Sequence, residues 1–448
     1  MELMLAGSGD LVTQIYRQLH DAMLDGRLRP GERLPPTREL ARSLQVSRNT
    51  VATAYERLTA EGFLVGRVGA GTFVSTVRPG RARSAPRGAD LRPREVWRDL
   101  RSESRPAAEI DFSVGFPDAR LFPLQTWRRL VTQSLTGRIL GQYAPPEGHD
   151  ALREAIARHI GIARSVRASA DDVLVTNGAQ QALDLIGRVL VAPGTTVAVE
   201  EPGYPPARLL FETLGARVVG VPVDREGIVV DALPKARLVY VTPSHQFPLG
   251  TPMSLARRTA LLDWAQRHDA VVVEDDYDSE FRFSDRPLEP LQSLDRTGRV
   301  VYVGSFSKTL VPALRLGFLV APASLREALR QAKKVSDWHT GLPDQIALAR
   351  FIDEGQLARH VRKATKVYAA RHERVVAAVE RLPWLRLVPS AAGLHVCALA
   401  DSPVVSRDPA VVVEPLSRYR GGNGVVIGFG AVGLDRIDEG LSRAFGHL

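Results

Sequence analysis

Cysteine, lysine and long apolar runs are all scarce in this chain. The single cysteine, Cys397, excludes an intramolecular disulfide and favours a reducing compartment. No apolar run approaches the roughly 20 residues that a membrane-spanning helix needs. The first residues, Met1-Glu2-Leu3-Met4, lack the basic and apolar regions of a signal peptide. The sequence therefore predicts a cytoplasmic protein with no membrane partner.

The scarcity of lysine draws attention to Lys308. Only six of the 59 lysines and arginines are lysines. Arginine stays protonated and forms no Schiff base, whereas lysine forms one once burial or nearby cations lower its pKa. Ser305 and Ser307 precede Lys308, and Arg315 follows it seven positions later. Hydroxyls and a guanidinium suit a phosphate, so the segment indicates pyridoxal 5'-phosphate (PLP). Taken alone, it is equally compatible with a surface lysine in a turn.

A chain of 448 residues is too long for one hydrophobic core, so several domains are expected. The formal charge of +9 favours an anionic partner. Composition changes along the chain predict a compact unit at 10–77, a basic Arg/Pro-rich linker at 78–108, and a third unit at 109–448. Within the last unit we expect a large subdomain at about 125–325 and a small one at about 326–448.

The N-terminal unit has the pattern of a helix-turn-helix followed by a hairpin. Apolar residues recur at helical spacing from Leu11, and Thr37 and Ser47 are predicted to cap the second and third helices. The segment 62–74 reads as a wing with a glycine-rich tip. The start of the third helix enters the major groove in such motifs. The predicted DNA-binding residues are Arg38, Ser47, Arg48, Asn49, Thr50, Arg67, Gly69 and Gly71.

From spacing alone, a small helical interaction domain with exposed arginines remains an alternative. The unit also resembles the GntR-type winged helix. The resemblance rests on Leu34-Pro35-Pro36-Thr37-Arg38-Glu39-Leu40-Ala41, Val46-Ser47-Arg48-Asn49-Thr50-Val51, Tyr55-Glu56-Arg57-Leu58, and the stretch from Glu61-Gly62 to Gly71-Thr72-Phe73-Val74. It implies binding to double-stranded operator DNA.

After residue 109, short apolar β-branched runs alternate with helical stretches, which predicts a parallel, doubly wound α/β sheet. The predicted strands contain 173–175, 196–199, 238–241, 270–273 and 300–303. Ligands of such sheets bind at the carboxyl ends of the strands. The turn at 176–182 follows a strand and opens a helix, an arrangement that can bind a phosphate through backbone N–H groups, although an ordinary turn between strand and helix is the alternative. Asp275 would pair with a pyridine nitrogen, although a solvated acidic loop is the alternative.

These segments, in this order, resemble fold type I aminotransferases over roughly 109–448. The resemblance implies that Lys308 is the Schiff-base lysine and that Asp275 pairs with the pyridine nitrogen. It implies further cofactor contacts, to the ring oxygen from Tyr277, to the ring face from Tyr204, and to the phosphate from Gly178, Ala179, Gln180, Ser305, Ser307 and Arg315. Tyr143 resembles the tyrosine that reaches the phosphate from the other subunit, which implies a homodimer.

Two departures from the aminotransferase pattern matter. Phe247-Pro248-Leu249-Gly250 stands where many of these enzymes have Asn-Pro-Thr-Gly, so we expect His245 or Gln246 to substitute for the asparagine. Val426 stands at the position of the substrate-binding arginine, with Arg418 and Arg420 in a nearby glycine-rich loop. Without that clamp an amino acid carboxylate is weakly held, which argues against efficient turnover. No metal site is predicted.

The combination of winged helix, basic linker and aminotransferase-like domain resembles the MocR subfamily of GntR regulators. The resemblance implies a PLP-dependent transcription regulator that forms a head-to-tail, domain-swapped homodimer. The regulating ligand is either an amine effector or PLP itself, and the sequence does not separate the two. The alternative function is a PLP-dependent aminotransferase with true turnover.

Overall fold

The protein was examined as a computed structural model, which describes residues 3–5, 9–76, 88, 91–98, 108–141, 143–283, 289–390 and 392–446. Its contacts divide the chain into two compact units, Met1–Pro93 and Arg94–Leu448. The division falls within the predicted linker at 78–108, most of which lies outside the described residues. None of the described helices combines the length and apolar character that crossing a membrane would require.

The N-terminal unit contains three helices and a two-stranded antiparallel sheet. These are α1 Leu11–Leu24, α2 Thr37–Ser43, α3 Arg48–Ala60, β1 Leu64–Arg67 and β2 Gly71–Val74. Apolar side chains at helical spacing bury one face of α1 and of α3, and those faces pack together. Ile15 and Leu19 of α1 and Val51 and Leu58 of α3 are fully buried. The predicted helix-turn-helix and wing are therefore both formed.

The two predicted helix caps have different outcomes. Ser47 caps α3, because its hydroxyl accepts a hydrogen bond of 3.1 Å from the backbone N–H of Thr50. The prediction for Thr37 is wrong, since Thr37 is the first helical residue of α2 and Pro36 precedes it without a side-chain cap. The hydroxyl of Thr37 instead accepts a hydrogen bond from Nε of Arg48 at 3.5 Å.

An eight-stranded sheet forms the centre of the second unit. Its strands lie in the order β4-β11-β10-β9-β8-β5-β6-β7. All run in one direction except β11 and β7, which are antiparallel to their neighbours. The bounds are β4 Val173–Thr176, β5 Thr196–Glu201, β6 Arg217–Asp224, β7 Gly227–Ile228, β8 Leu238–Val241, β9 Val271–Asp276, β10 Val300–Ser305 and β11 Gly317–Val320. The five strands expected from the sequence are all present.

Helices cover this sheet because their apolar faces and the continuous apolar strands bury one another. The helices of this unit up to residue 353 are α4 Glu95–Arg98, α5 Leu124–Ser134, α6 Gly137–Leu140, α7 Asp150–Arg164, α8 Ala179–Leu190, α9 Pro205–Thr213, α10 Leu255–Arg267, α11 Leu291–Leu294, α12 Phe306–Thr309, α13 Ala323–Ser336 and α14 Leu342–Asp353. No residue of α4 is buried. Short 3-10 turns occur at Ala119–Leu121, Ala170–Asp172, Val230–Ala232, Pro312–Leu314, Leu416–Tyr419 and Leu434–Arg436.

A four-stranded antiparallel sheet follows in the order β12-β13-β16-β15. Its strands are β12 Arg386–Leu387, β13 His395–Leu399, β15 Glu414–Pro415 and β16 Gly424–Gly428, and it packs with α15 Gln356–Glu380 and α16 Ile437–Phe445. The short strand β3, Ile110–Asp111, pairs in parallel with β14, Val411–Val412. This separate two-stranded sheet joins the start of the second unit to a late segment of the same unit.

Candidate functional site

A cavity of about 520 Å³ opens at the carboxyl ends of the parallel strands. It contains predicted residues from four separate segments, which the sheet brings to one edge. Those that line it are Ala179, Gln180, Tyr204, Asp275, Tyr277, Ser305, Ser307, Lys308 and Arg315. Residues spread along the sequence therefore form one site.

Lys308 lies in the single turn of α12, directly after the central strand β10. Its Nζ donates a hydrogen bond of 2.7 Å to the backbone carbonyl of Gly115. Burial lowers the pKa of Lys308, and the nearby Arg315 lowers it further, while Asp278 and Asp275 act in the opposite direction. A lowered pKa increases the neutral fraction of the amine, which is the form that attacks a carbonyl.

Asp275 lies near the end of β9, where its carboxyl group is buried. Oδ2 accepts a hydrogen bond of 2.7 Å from the hydroxyl of Tyr240. Oδ1 is buried and has no hydrogen-bond partner among the described residues. Burial raises the pKa of Asp275 to about 6. A buried carboxylate oxygen that lacks a donor fits an N–H⁺ group, such as the protonated nitrogen of a pyridine ring.

The other end of the cavity is formed by the start of α8 and by Arg315. Gly178 precedes α8 with a φ of 80°, and a Cβ placed there would lie 2.8 Å from Nη2 of Arg315. Nη2 of Arg315 donates a hydrogen bond of 2.9 Å to the carbonyl of Asn177. Ser305 and Ser307 line the same cavity. Helix N–H groups, hydroxyls and a guanidinium together make a cradle suited to a phosphate.

Tyr277 reaches the cavity, but His245 and Gln246 do not line it. The hydroxyl of Tyr277 donates to the carbonyl of His245 at 2.9 Å and lies 3.0 Å from His245 Nδ1. That ring nitrogen is also 3.1 Å from both carboxylate oxygens of Asp278. Gln246 Nε2 donates to the carbonyls of Pro202 and Phe247 at 2.9 and 2.6 Å. His245 and Gln246 therefore do not contact the cavity, whereas the neighbouring Phe247 lines it.

Tyr204 and Tyr143 have different surroundings. Tyr204 lines the cavity, where its ring packs edge-on against Phe247 at a centroid distance of 5.4 Å. Tyr143 is outside the cavity and 78% exposed, and its ring lies 5.1 Å from that of Trp338. The contact predicted for Tyr143 requires a second subunit, so it stays a prediction.

The predicted DNA-binding residues lie on three parts of the N-terminal unit. Arg38 is in the first turn of α2, Arg48 and Asn49 begin α3, and Arg67 ends β1. Gly69 and Gly71, at and beside the wing tip, both have positive φ. These six residues and Ser47 are exposed. Thr50 is half-buried, and its backbone N–H donates to the hydroxyl of Ser47.

Two family models match the chain. Residues 11–74 match "Bacterial regulatory proteins, gntR family", and residues 108–406 match "Aminotransferase class I and II". A relative from Rhizobium meliloti, the probable rhizopine catabolism regulatory protein MocR, is 38% identical over 96% of this chain and 92% of its own. The chain belongs to the MocR-type regulators of the GntR family.

Two further comparisons support this MocR-type assignment. The pyridoxine biosynthesis regulator PdxR of Corynebacterium glutamicum is 34% identical over 95% of this chain and 93% of its own. The α-aminoadipate aminotransferase LysN of Thermus thermophilus, solved with N-(5'-phosphopyridoxyl)-L-leucine, is 31% identical. Its TM-score is 0.68 over 75% of this chain and 90% of that structure. This regulator thus joins a DNA-binding winged helix to a fold type I aminotransferase domain, a fold that implies PLP as cofactor.

Several residues of this MocR-type regulator's cavity were not predicted from the sequence. They are Gly115, Phe116, Tyr240, Leu394, His395, Glu414 and Tyr419. Tyr240 carried one recognisable signal, since it is a polar-tipped aromatic residue near the carboxyl end of an apolar strand. Gly115 and Glu414 carried none, because tertiary packing alone brings them to the cavity.

Proposed function

We propose that this protein is a transcription regulator whose operator affinity is set by the state of the cavity around Lys308. The observation that carries the proposal is the convergence of a buried lysine, an unpartnered aspartate oxygen and a phosphate cradle in one cavity. When bound, PLP supplies an aldehyde that condenses with primary amines. The same chain carries a winged helix of the gntR family.

Each side chain at the cavity has a separate role in this proposal. Lys308 would present a neutral amine to PLP because burial lowers its pKa. Asp275 Oδ1 would accept the ring N–H, while Tyr240 holds the other carboxylate oxygen in place. Arg315, Ser305, Ser307 and the turn at 178–180 would hold the phosphate. Tyr204 would pack on the ring face, and Tyr277 would donate to the ring oxygen in place of the His245 carbonyl.

At the winged helix, Arg48 and Asn49 read base edges in the major groove, and Arg38 contacts phosphate. The ligand changes operator affinity only if it binds the DNA-competent and incompetent states with different affinity. A head-to-tail homodimer in the cytoplasm fits this scheme, because Tyr143 is exposed and its predicted phosphate contact comes from a second subunit. The relatives are named for rhizopine catabolism and pyridoxine biosynthesis, so their names select no single ligand.

The test compares wild type with Lys308→Ala. The full-length protein is mixed with PLP, its visible absorption spectrum is recorded, and operator binding is measured with and without candidate amines. We expect an absorption band that depends on Lys308 and a ligand effect on DNA affinity that the variant loses. An unchanged ligand effect in Lys308→Ala, at equal DNA affinity, would contradict the proposal.

A further inference from the structure

The position of the aminotransferase substrate arginine is apolar in this chain and sealed. Val426 in β16 is fully buried in a cluster that includes Phe247, Cys397 and Tyr419. The rings of Phe247 and Tyr419 meet edge-on within the same cluster, with centroids 5.0 Å apart. A ligand carboxylate therefore meets no cation at this position.

One of the two cross-strand neighbours of Val426 carries the opposite charge to the missing arginine. Glu414 in β15 lies directly opposite Val426 in antiparallel register. Side chains at paired positions project from the same face of a sheet. Glu414 accordingly lines the cavity while remaining 92% buried, with a relative exposure of 8%. Its Oε2 accepts a hydrogen bond from the hydroxyl of Tyr419, which also lines the cavity.

The remaining charges in the described lining leave little to attract an anion. Arg418 lines the cavity, but its side chain is half exposed to solvent, which screens its charge. Its Nη1 lies 3.7 Å from Oε1 of the buried Glu414, so this screened cation only partly compensates the carboxylate. Arg315 faces the phosphate cradle and is bonded to the carbonyl of Asn177. Burial lowers the pKa of His395 to about 3, which keeps its ring neutral. Asp278 adds a further carboxylate beside His245.

We infer that the effector is a primary amine without a carboxylate, whose far end carries hydrogen-bond donors such as ammonium or hydroxyl groups. Glu414 is the specificity-determining residue that accepts from that end, with Tyr419 fixing its carboxylate. A buried carboxylate favours donors and repels anions. The inference rests on the proposed function, because the ligand must reach the cofactor at Lys308.

Matched probes test the ligand class in the PLP-loaded full-length protein. They are 1,4-diaminobutane, 4-amino-1-butanol and 4-aminobutanoate, with the three-carbon analogue of each as a second length. Binding is measured by calorimetry and by the change in the Lys308-dependent absorption band. We expect the diamine and the amino alcohol to bind at least about tenfold more tightly than the aminoalkanoate of equal length.

Glu414→Gln keeps the shape of the side chain and removes its charge, so the preference for the diamine over the aminoalkanoate should fall about tenfold. Glu201→Gln is the matched control, because Glu201 is a nearby carboxylate that pairs with Arg208 and does not line the cavity. The control should keep the wild-type preference. The ranking in wild type tests the inference even where a variant folds poorly.

Tighter binding of the aminoalkanoate, or an unchanged preference in a PLP-binding Glu414→Gln protein, would overturn the inference and leave the proposed function intact. Absence of binding by every probe, with the Lys308-dependent band present, would overturn it as well. Absence of that band in wild type would instead show that the proposed function has failed.

Discussion

Tyr240 donates a 2.7 Å hydrogen bond to Oδ2 of Asp275, a cavity-lining residue whose buried Oδ1 has no hydrogen-bond partner within the described part of the chain. The pair comes from adjacent parallel strands, β8 and β9. One oxygen is fixed by the protein and the other is left for a ligand. This division explains how a buried carboxylate is held in place for a ring N–H.

We expect Tyr240→Phe to weaken PLP binding roughly ten- to a hundredfold, since a hydrogen bond to a charged group is worth about 1.5–3 kcal/mol. It should also lower the free energy of unfolding of the cofactor-free protein by about 1–3 kcal/mol, because a buried oxygen loses its donor. PLP titration and urea denaturation measure the two effects.

Tyr302→Phe is the control for this substitution. The hydroxyl of Tyr302 donates to Asp276 Oδ2 at 2.6 Å, one strand away, and neither residue lines the cavity. Tyr302→Phe should lower the free energy of unfolding by a similar amount and leave PLP affinity unchanged. Equal loss of PLP affinity in both variants would show that Tyr240 acts only through general stability.

Local sequence pattern was sufficient to predict which segments meet at one cavity. Lys308, Asp275 and Arg315 each lie in a short segment with a recognisable succession of residue types, and all three line the cavity. Their roles toward a cofactor stay predictions. The predicted strands were found because buried parallel strands are continuously apolar.

Local sequence pattern could not predict contacts between segments that are distant in the chain. The carbonyl of Gly115 accepts a hydrogen bond from Lys308, which lies 193 positions later in the chain. Neither segment has a sequence feature that predicts this contact. Glu414 reaches the cavity through its register with Val426, which depends on how two short strands align. Thr37 was misassigned as a cap because Pro36, which has no side-chain acceptor, occupies that position.

The pKa of Lys308 provides a prediction with a definite sign. Burial lowers this pKa, so in the cofactor-free protein Lys308 should titrate below the ordinary lysine value of 10.5. Because the chain has only six lysines, NMR of ¹³Cε-labelled lysine can follow them individually, and Lys308→Ala assigns the signal. Asp278 raises the pKa of Lys308, so Asp278→Asn should shift the midpoint to still lower pH. A midpoint at or above 10.5 would contradict the burial argument.

Gly178 is predicted to tolerate no side chain. Its φ of 80° is unfavourable for alanine by about 1–2 kcal/mol, and the added Cβ would press on Arg315. Gly178→Ala should therefore reduce both stability and PLP affinity. Gly161→Ala, within α7 and clear of close contacts, should leave PLP affinity unchanged and raise stability by about 0.5–1 kcal/mol. Unaltered PLP affinity in Gly178→Ala would argue against a phosphate at this turn.

Operator binding should depend steeply on salt, because exposed arginines on α2 and α3 release counterions from phosphates. Arg38→Ala should weaken binding to every sequence alike and reduce the slope of log affinity against log salt by about 1. Arg48→Ala should instead relax the preference for one base pair, with a cost of about 1–3 kcal/mol on the specific operator only.

Arg57→Ala is the control. It removes the same charge from α3, but Arg57 is already paired with Glu61 at 3.2 Å, so its effect on the salt slope should be small. Fluorescence anisotropy with operator and scrambled duplexes separates these outcomes. A salt slope that falls equally in Arg38→Ala and Arg57→Ala would mean that net charge, and not a placed phosphate contact, governs the affinity.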